Sequence, residues 1–177
     1  VYGLSETKKT IDENSPTNPA SYYGISKLKG ENEVELLKGK KEVSIIRCAN
    51  VFGYSRSMRF DSVINRFMFD AHFNKRIYVY GLADQIRPYI SINRVSNELK
   101  DVVLGSADSF ISNILEFNFS LDEIINEGIR KIYPDTEILY TNQEVAPKHL
   151  ILSKSNNDLE YDLFLKYLNY FSKQYTF

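Results

Sequence analysis

The sequence predicts an α/β fold. Segments with helical apolar spacing alternate with short β-branched runs, cap and turn residues mark most junctions, and no internal repeat or low-complexity stretch interrupts the alternation. With 177 residues, 43% of them hydrophobic, the chain can bury one core and is short for two full domains.

The elements are expected in the following order. Thr7 to Pro19 is polar, holds two prolines and reads as a surface loop. Asn18-Pro19 offers a cap and a first-turn proline for a helix from Pro19 to Lys38. Ala20, Tyr23, Lys27, Gly30, Val34 and Leu37 share one face of that helix, and Gly39 closes it. Val43 to Ile46 is a β-branched strand leading through Arg47 and Asn50 to the turn-prone Phe52-Gly53. Tyr54 to Arg59 is a basic loop. Phe60 to Phe73 is a helix with Val63, Ile64, Phe67, Met68 and Ala71 inward. Ile77 to Tyr80 is a strand ended by Gly81, and Arg87 to Ile92 is a second extended run. Asn93 caps a helix to Leu104 that buries Val95, Leu99, Val102 and Val103. Phe110 to Phe117 forms one strand. Ser120-x-x-Glu123 is a capping box opening a helix to about Ile132. Thr136 to Tyr140 and His149 to Leu152 are strands, and Tyr161 to Lys173 is a last helix with Leu163, Phe164, Tyr167, Leu168 and Phe171 inward.

Composition narrows the function. A net charge of −1 argues against a protein held to nucleic acid by bulk electrostatics. A single cysteine, Cys48, rules out an internal disulfide framework and a cysteine-based zinc site, and the widely spaced His72 and His149 make no metal site. No apolar run approaches the roughly 20 residues that cross a bilayer, so no membrane partner and a cytoplasmic location are expected. The chain opens without Met on Val1-Tyr2-Gly3, which reads as a strand end and its turn.

Tyr23-Gly24-Ile25-Ser26-Lys27 is the first constellation that carries chemistry. Residues four apart lie on one helix face, and an ammonium beside a phenol favours the tyrosinate, which exchanges a proton with a substrate hydroxyl or carbonyl. The abundance of both residue types predicts about one Tyr-x-x-x-Lys by chance, so the spacing alone is weak. The context is more specific. Tyr2-Gly3, Tyr23-Gly24-x-Ser26-Lys27, Gly30-Glu31 and Arg47-x-x-Asn50-Val51-Phe52-Gly53 occur in this order. So do Arg59-Phe60-Asp61-x-Val63-x-Asn65-Arg66-Phe67, Val79-Tyr80-Gly81 and Gln85-x-Arg87-Pro88-Tyr89-Ile90. Together they resemble the extended short-chain dehydrogenase/reductase family, the NAD-dependent sugar-nucleotide epimerases and dehydratases. The Arg59–Phe67 stretch is similar to a subgroup tied to surface-polysaccharide sugars. The resemblance is good over residues 1 to 104 and looser to about 160.

The resemblance implies a partial Rossmann-like, doubly wound domain plus a smaller α/β substrate-binding domain. Residues 1–53 and 93–117 would belong to the first and most of 54–177 to the second. It implies Tyr23 as acid/base, Lys27 on the nicotinamide ribose, and Cys48 beside the cofactor, NAD or NADP. Read on its own residues, Cys48 is a small buried thiol with no activating base nearby. For a nucleoside-diphosphate sugar the resemblance implies Asn50, Arg59, Tyr78, Tyr80 and Arg87 as contacts. Arg87 suits the diphosphate because a guanidinium fork makes paired bonds to phosphate oxygens. A homodimer is the implied assembly. The family's Gly-rich pyrophosphate turn does not occur in these 177 residues, so the chain reads as a C-terminal half that needs the other half to bind the cofactor. A Gly-Leu-Ala-Asp run at Gly81 replaces the usual Gly-Asp-Gly, and Lys148 stands where the family carries a later arginine. A non-catalytic nucleotide-sugar-binding or interaction module is the alternative expectation, and an inert fragment a third.

Overall fold

The structure is a computed structural model that describes residues 1–105, 110–141, 148–153 and 160–175. Its helices are α1 (Tyr22–Glu35), α2 (Val63–Phe69), α3 (Ile92–Leu104), α4 (Leu121–Glu123), α5 (Arg130–Ile132) and α6 (Glu160–Ser172). Its strands are β1 (Thr10–Ile11), β2 (Ser44–Cys48), β3 (Asn50–Phe52), β4 (Arg76–Tyr80), β5 (Ile86–Ser91), β6 (Phe110–Ile114), β7 (Phe117–Ser120), β8 (Glu137–Thr141) and β9 (Ile151–Leu152). Parallel pairing dominates: β2 with β6, β3 with β5, β4 with β8 and β1 with β9, while β5 and β7 run antiparallel. The α/β class is therefore as the sequence implies.

Several boundaries differ from expectation for local reasons. Ser21, not Asn18, caps α1, its hydroxyl accepting from Gly24 N at 3.1 Å. Likewise Ser91 rather than Asn93 caps α3. The run from Phe110 is two strands, because after β6 the chain turns so that Glu116 N donates to Tyr89 O and β7 enters the sheet with β5. Asn50–Phe52, read as the end of the preceding strand running into a turn, is a strand of its own whose partner residues lie 39 positions further on. Thr10–Ile11, inside the expected loop, pairs with β9. The helix after Ser62 is α-helical only to Phe69 and continues as a π-helical turn, Asp70–Asn74. A second π-helical segment, Ile124–Ile129, joins α4 to α5. The capping box is present as expected, with Ser120 Oγ accepting from Glu123 N and the Glu123 carboxylate accepting from Ser120 N.

The main core lies between α2, α6, the α4–α5 helix and the strands β3, β4, β5 and β7. Phe52, Phe117, Phe119 and Phe164 meet there with Ile64, Met68, Ile77, Ile124 and Leu168. Phe117 and Phe119 stack at 5.0 Å, and Phe164 meets both edge-on. Gly128 allows that approach, since a Cβ there would lie 2.5 Å from the Phe164 ring. A smaller cluster of Ala49, Ile90, Val95 and Ile114 holds α3 to the other end of the sheets. The expectation for α3 is corrected in part: Val95 is buried, but Leu99 is exposed and Val103 is 80% exposed. The helix touches the sheet through one narrow stripe, and no described residue covers its far side.

Helix α1 is attached differently. Its one buried residue is Gly24, and the face bearing Tyr23, Lys27, Gly30 and Val34 points outward. On the inner face, Glu31 receives a forked bond from Arg47 of β2, Nη2 at 2.7 Å and Nε at 3.1 Å, between side chains only 15% and 11% exposed. Arg47 Nη1 donates to the Tyr2 hydroxyl at 2.6 Å, and that hydroxyl donates to Asn113 Oδ1 at 2.9 Å. The guanidinium also sits over the Tyr2 ring, 4.9 Å from its centroid.

Removing one member of this pair leaves a largely buried charge alone, so Glu31→Leu is expected to cost about 3–5 kcal/mol. Glu31→Leu combined with Arg47→Met should recover most of the loss. Urea unfolding followed by circular dichroism measures both.

Candidate active site

A cleft of about 910 Å³ opens where the strands end. One wall comes from Cys48 and Asn50 to Gly53, at the end of β2 and through β3. A second comes from the loop that follows, with Ser55, Ser57, Met58, Arg59, Asp61 and Ser62. A third comes from Gln85, Arg87 and Tyr89 of β5 and the segment before it, and Tyr23 reaches in from α1. Ligands of open α/β sheets bind at such strand ends.

Tyr23 is 70% exposed, and Lys27 Nζ lies over its ring, 5.4 Å from the centroid. The two side chains meet as the four-residue spacing requires. The loop brings Arg59 to the same cleft as Tyr23, and the Asp61 carboxylate beside it raises the pKa of the guanidinium. Arg59 is itself tied by two bonds to Asp61, at 2.9 and 2.5 Å, on the exposed rim. Its cation is therefore neutralised in place. Arg56 is exposed and does not line the cleft.

Arg87 is anchored differently. Nη1 donates to the carbonyls of Ile86, at 2.9 Å, and Lys148, and Nη2 to Gln85 Oε1 at 3.2 Å. Burial lowers its pKa from the ordinary arginine value, with Tyr89 acting the other way. Even so a guanidinium stays protonated at neutral pH. No carboxylate pairs with it among the described residues, and Nε–H with one Nη2–H is left over from the five donors. A half-buried cation that lines a cleft and keeps donors unused has the chemistry to bind an anion.

Asn50 lines the cleft and donates from Nδ2 to Pro88 O at 3.0 Å, crossing from β3 to β5 beside Arg87. Its amide oxygen has no bond recorded among the described residues. Cys48 also lines the cleft, and here the reading of a buried thiol is corrected: the residue is exposed. It ends β2, where the strand leaves the core, and the protein around it still raises its thiol pKa by desolvation, which keeps it protonated. Tyr78 and Tyr80 stand on the outer face of β4, whose inner residues Ile77 and Val79 are fully buried, and neither lines this cleft. His72 packs against Phe73, Tyr133 and Tyr175, with Nδ1 3.1 Å from the Tyr133 hydroxyl, as a packed histidine would. The described residues contain no cluster of ligands for a metal ion.

Asn65 belongs to the Arg59–Phe67 motif, where the sequence assigns it no role of its own. It is 3% exposed, accepts from Gly53 N at 2.9 Å and donates to Arg59 O at 3.0 Å, so one amide closes both ends of the cleft loop. Ser62 adds a bond to Val51 O at 3.1 Å. Gly53 has φ +115°, and a Cβ there would press on Ile92 at 3.1 Å, so the turn into the loop needs glycine.

The fold thus sets a Tyr-x-x-x-Lys helix beside a cleft at the ends of parallel strands. Comparison with known proteins gives the family. The NAD dependent epimerase/dehydratase family matches residues 1–96, and the chain belongs to this family. It is 28% identical over 124 residues to a protein of Methanocaldococcus jannaschii provisionally named UDP-glucose 4-epimerase, covering 68% of this chain and 36% of that protein. The fold is similar to that of UDP-glucuronic acid 4-epimerase from Bacillus cereus, solved with UDP-glucuronic acid and NAD. The TM-score is 0.79 at 21% identity, over 99% of this chain and 59% of the other. It is also similar to TunA, an NAD-dependent NDP-hexosamine 5,6-dehydratase of tunicamycin biosynthesis, with a TM-score of 0.73 at 22% identity over 96% and 60%. The chain thus spans about a third of the curated relative and about 60% of the solved proteins.

Asn65→Leu keeps the volume and removes both loop bonds. It is expected to cost roughly 1–3 kcal/mol and to speed amide exchange across residues 54–62 while leaving the core around Phe117 protected. Hydrogen–deuterium exchange read by mass spectrometry measures this.

Proposed function

We propose that this chain is the C-terminal, substrate-binding part of an NAD-dependent nucleotide-sugar epimerase or dehydratase that serves surface-polysaccharide sugar biosynthesis. The observation that carries the reading is one cleft lined both by Tyr23, with Lys27 over its ring, and by Arg87 with unused donors. Family membership and the NAD-dependent enzymes among the similar structures support it.

Tyr23, Lys27 and Cys48 fit the nicotinamide-ribose end of NAD: a phenol and an ammonium on one exposed helix face, and a small side chain at the strand end opposite. NAD, when bound, supplies a hydride acceptor and donor. The Tyr23 oxygen takes the proton of a sugar hydroxyl as that carbon becomes a carbonyl, and returns it when the carbonyl is reduced. Lys27, whose ammonium lies over the phenol ring, holds the nicotinamide ribose. Arg87 anchors the diphosphate, Asn50 contacts the sugar nucleotide with its amide oxygen, and Arg59 contributes from the rim. Tyr78 and Tyr80 remain proposed contacts for the base, reached beyond the cleft. Under this reading residues 1–53 and 93–117 belong to the cofactor domain and most of 54–177 to the substrate domain. The exposed Tyr22 and Ile25 of α1 support a homodimer contact. A free, exposed thiol suits the reducing cytoplasm.

In the full-length enzyme, Tyr23→Phe is expected to lower turnover by about 10²- to 10⁴-fold while substrate still binds. A sugar-nucleotide assay with NAD, read by proton NMR, checks this with UDP-glucose and UDP-N-acetylglucosamine. Unchanged turnover would return Tyr23 to the status of a surface tyrosine. Binding without any turnover in the wild type would favour the non-catalytic module. Arg87→Lys is expected to weaken UDP binding by roughly 1–3 kcal/mol and uridine binding little, since an ammonium cannot reproduce the fork. Isothermal titration with both ligands separates diphosphate recognition from pocket shape.

A further inference from the structure

His149 is 3% exposed, lies outside the cleft lining and joins no group of metal ligands among the described residues. Its ring is nevertheless placed with a purpose. Ile86 N donates to His149 Nδ1 at 3.2 Å, which puts the ring proton of the neutral imidazole on Nε2. The neighbours on either side complete a clasp. Leu150 N donates to Ile86 O at 3.0 Å, and Lys148 O accepts from Arg87 Nη1. Three consecutive residues, Lys148 to Leu150, thus hold the first two residues of β5, and the second of these is Arg87. His149 is fixed in turn through its backbone, which exchanges two bonds with Ser5 at 2.9 and 2.6 Å. Leu152 is held by both ends of the Asn118 amide on β7, at 2.9 and 3.1 Å.

A long cationic side chain loses entropy on binding an anion unless it is already held. Here the hold on Arg87 depends on where Lys148 O stands, and that depends on how residue 149 docks on β5. We propose that His149 is a positioning residue for Arg87: its Nδ1 seats the Lys148–Leu150 segment on the start of β5, and the seated segment aims the guanidinium into the cleft. The role in diphosphate recognition rests on the reading of the cleft given above, whereas the role in holding Arg87 does not.

Two replacements isolate the hydrogen bond. In His149→Asn the side-chain oxygen occupies the place of Nδ1 and can accept from Ile86 N. His149→Leu has the same branching with no acceptor, and both remove the rest of the ring. The expected result is that His149→Leu binds UDP about tenfold more weakly than His149→Asn, with equal binding of uridine. In the same proteins, nitrogen-15 NMR of the Arg87 Nη1 protons, which the Ile86 and Lys148 carbonyls hold, should show faster solvent exchange in the Leu variant and near-wild-type exchange in the Asn variant. Equal Arg87 exchange in the two variants overturns the proposal, whatever UDP does. Slower exchange in Asn with no UDP binding by the wild type upholds the positioning role and overturns the diphosphate reading instead. If the Leu variant fails to fold, His149→Gln, whose acceptor is displaced by one methylene, takes its place, and wild-type exchange in that variant likewise overturns the proposal.

Discussion

The site depends on one ion pair. Helix α1 carries Tyr23 and Lys27, yet it buries little apolar surface and could not be held by the hydrophobic effect alone. What fixes it is the fork from Arg47 to Glu31, extended through Tyr2 to Asn113. A charged clamp of this kind is a poor source of net stability, because both ions are stripped of water. It is a good source of geometry, because the fork defines the distance and the rotation of the helix about its axis. Glu31 is four residues beyond Lys27 and eight beyond Tyr23. Those spacings put Lys27 and Tyr23 roughly 40° and 80° around the helix from Glu31, so fixing its azimuth fixes theirs.

The rest of the molecule divides the work unequally. The large aromatic core sits beneath the Arg87 side of the cleft, where α6 and the α4–α5 helix pack on β3, β5 and β7. On the other side, α3 rests on a cluster of four buried residues and α1 on the ion pair. Local opening is cheapest where buried apolar contacts are fewest, so α1 and α3 are the softer elements and β5 is the rigid one. The binding role proposed for β5 and the proton-transfer role proposed for α1 would use that difference, with a stiff anchor and a reacting group on the element easiest to adjust.

How much of this was legible in the sequence depended on the range of the interactions. Tyr23 and Lys27 could be paired because a helix makes residues four apart into neighbours, and the Ser120–Glu123 capping box is likewise local. Arg87 could be picked out because the following proline keeps it extended. By contrast, Asn65 and His149 act through side-chain to backbone bonds spanning 12 and 63 residues, and nothing in the flanking sequence marks an amide or an imidazole for such a bond. The short strands β1 and β3 were hidden for the same reason, since two or three residues carry no periodicity and take their extended form from the partner, whereas β9 lies inside the His149 to Leu152 run that the sequence marks as extended. The break between β6 and β7 has no glycine or proline to signal it. The exposure of Leu99, Val103 and Cys48 was also out of reach, because apolar spacing shows that a face is apolar and not what covers it.

The polar side chains of the cleft can be sorted by whether their bonds are already spent. Asn65 and Ser62 are committed to the loop backbone, and Arg59 is committed to Asp61. Asn50 has given its amide nitrogen to Pro88 and keeps its oxygen. Arg87 has given three donors to the protein and keeps two. A ligand entering this cleft therefore meets a free carbonyl-type acceptor and a free cationic fork on adjacent strands, with the Tyr23 phenol across from them. An acceptor suits a hydroxyl, and the fork suits a phosphate. That complement, rather than the count of polar residues in the lining, is what supports the proposed nucleotide-sugar ligand.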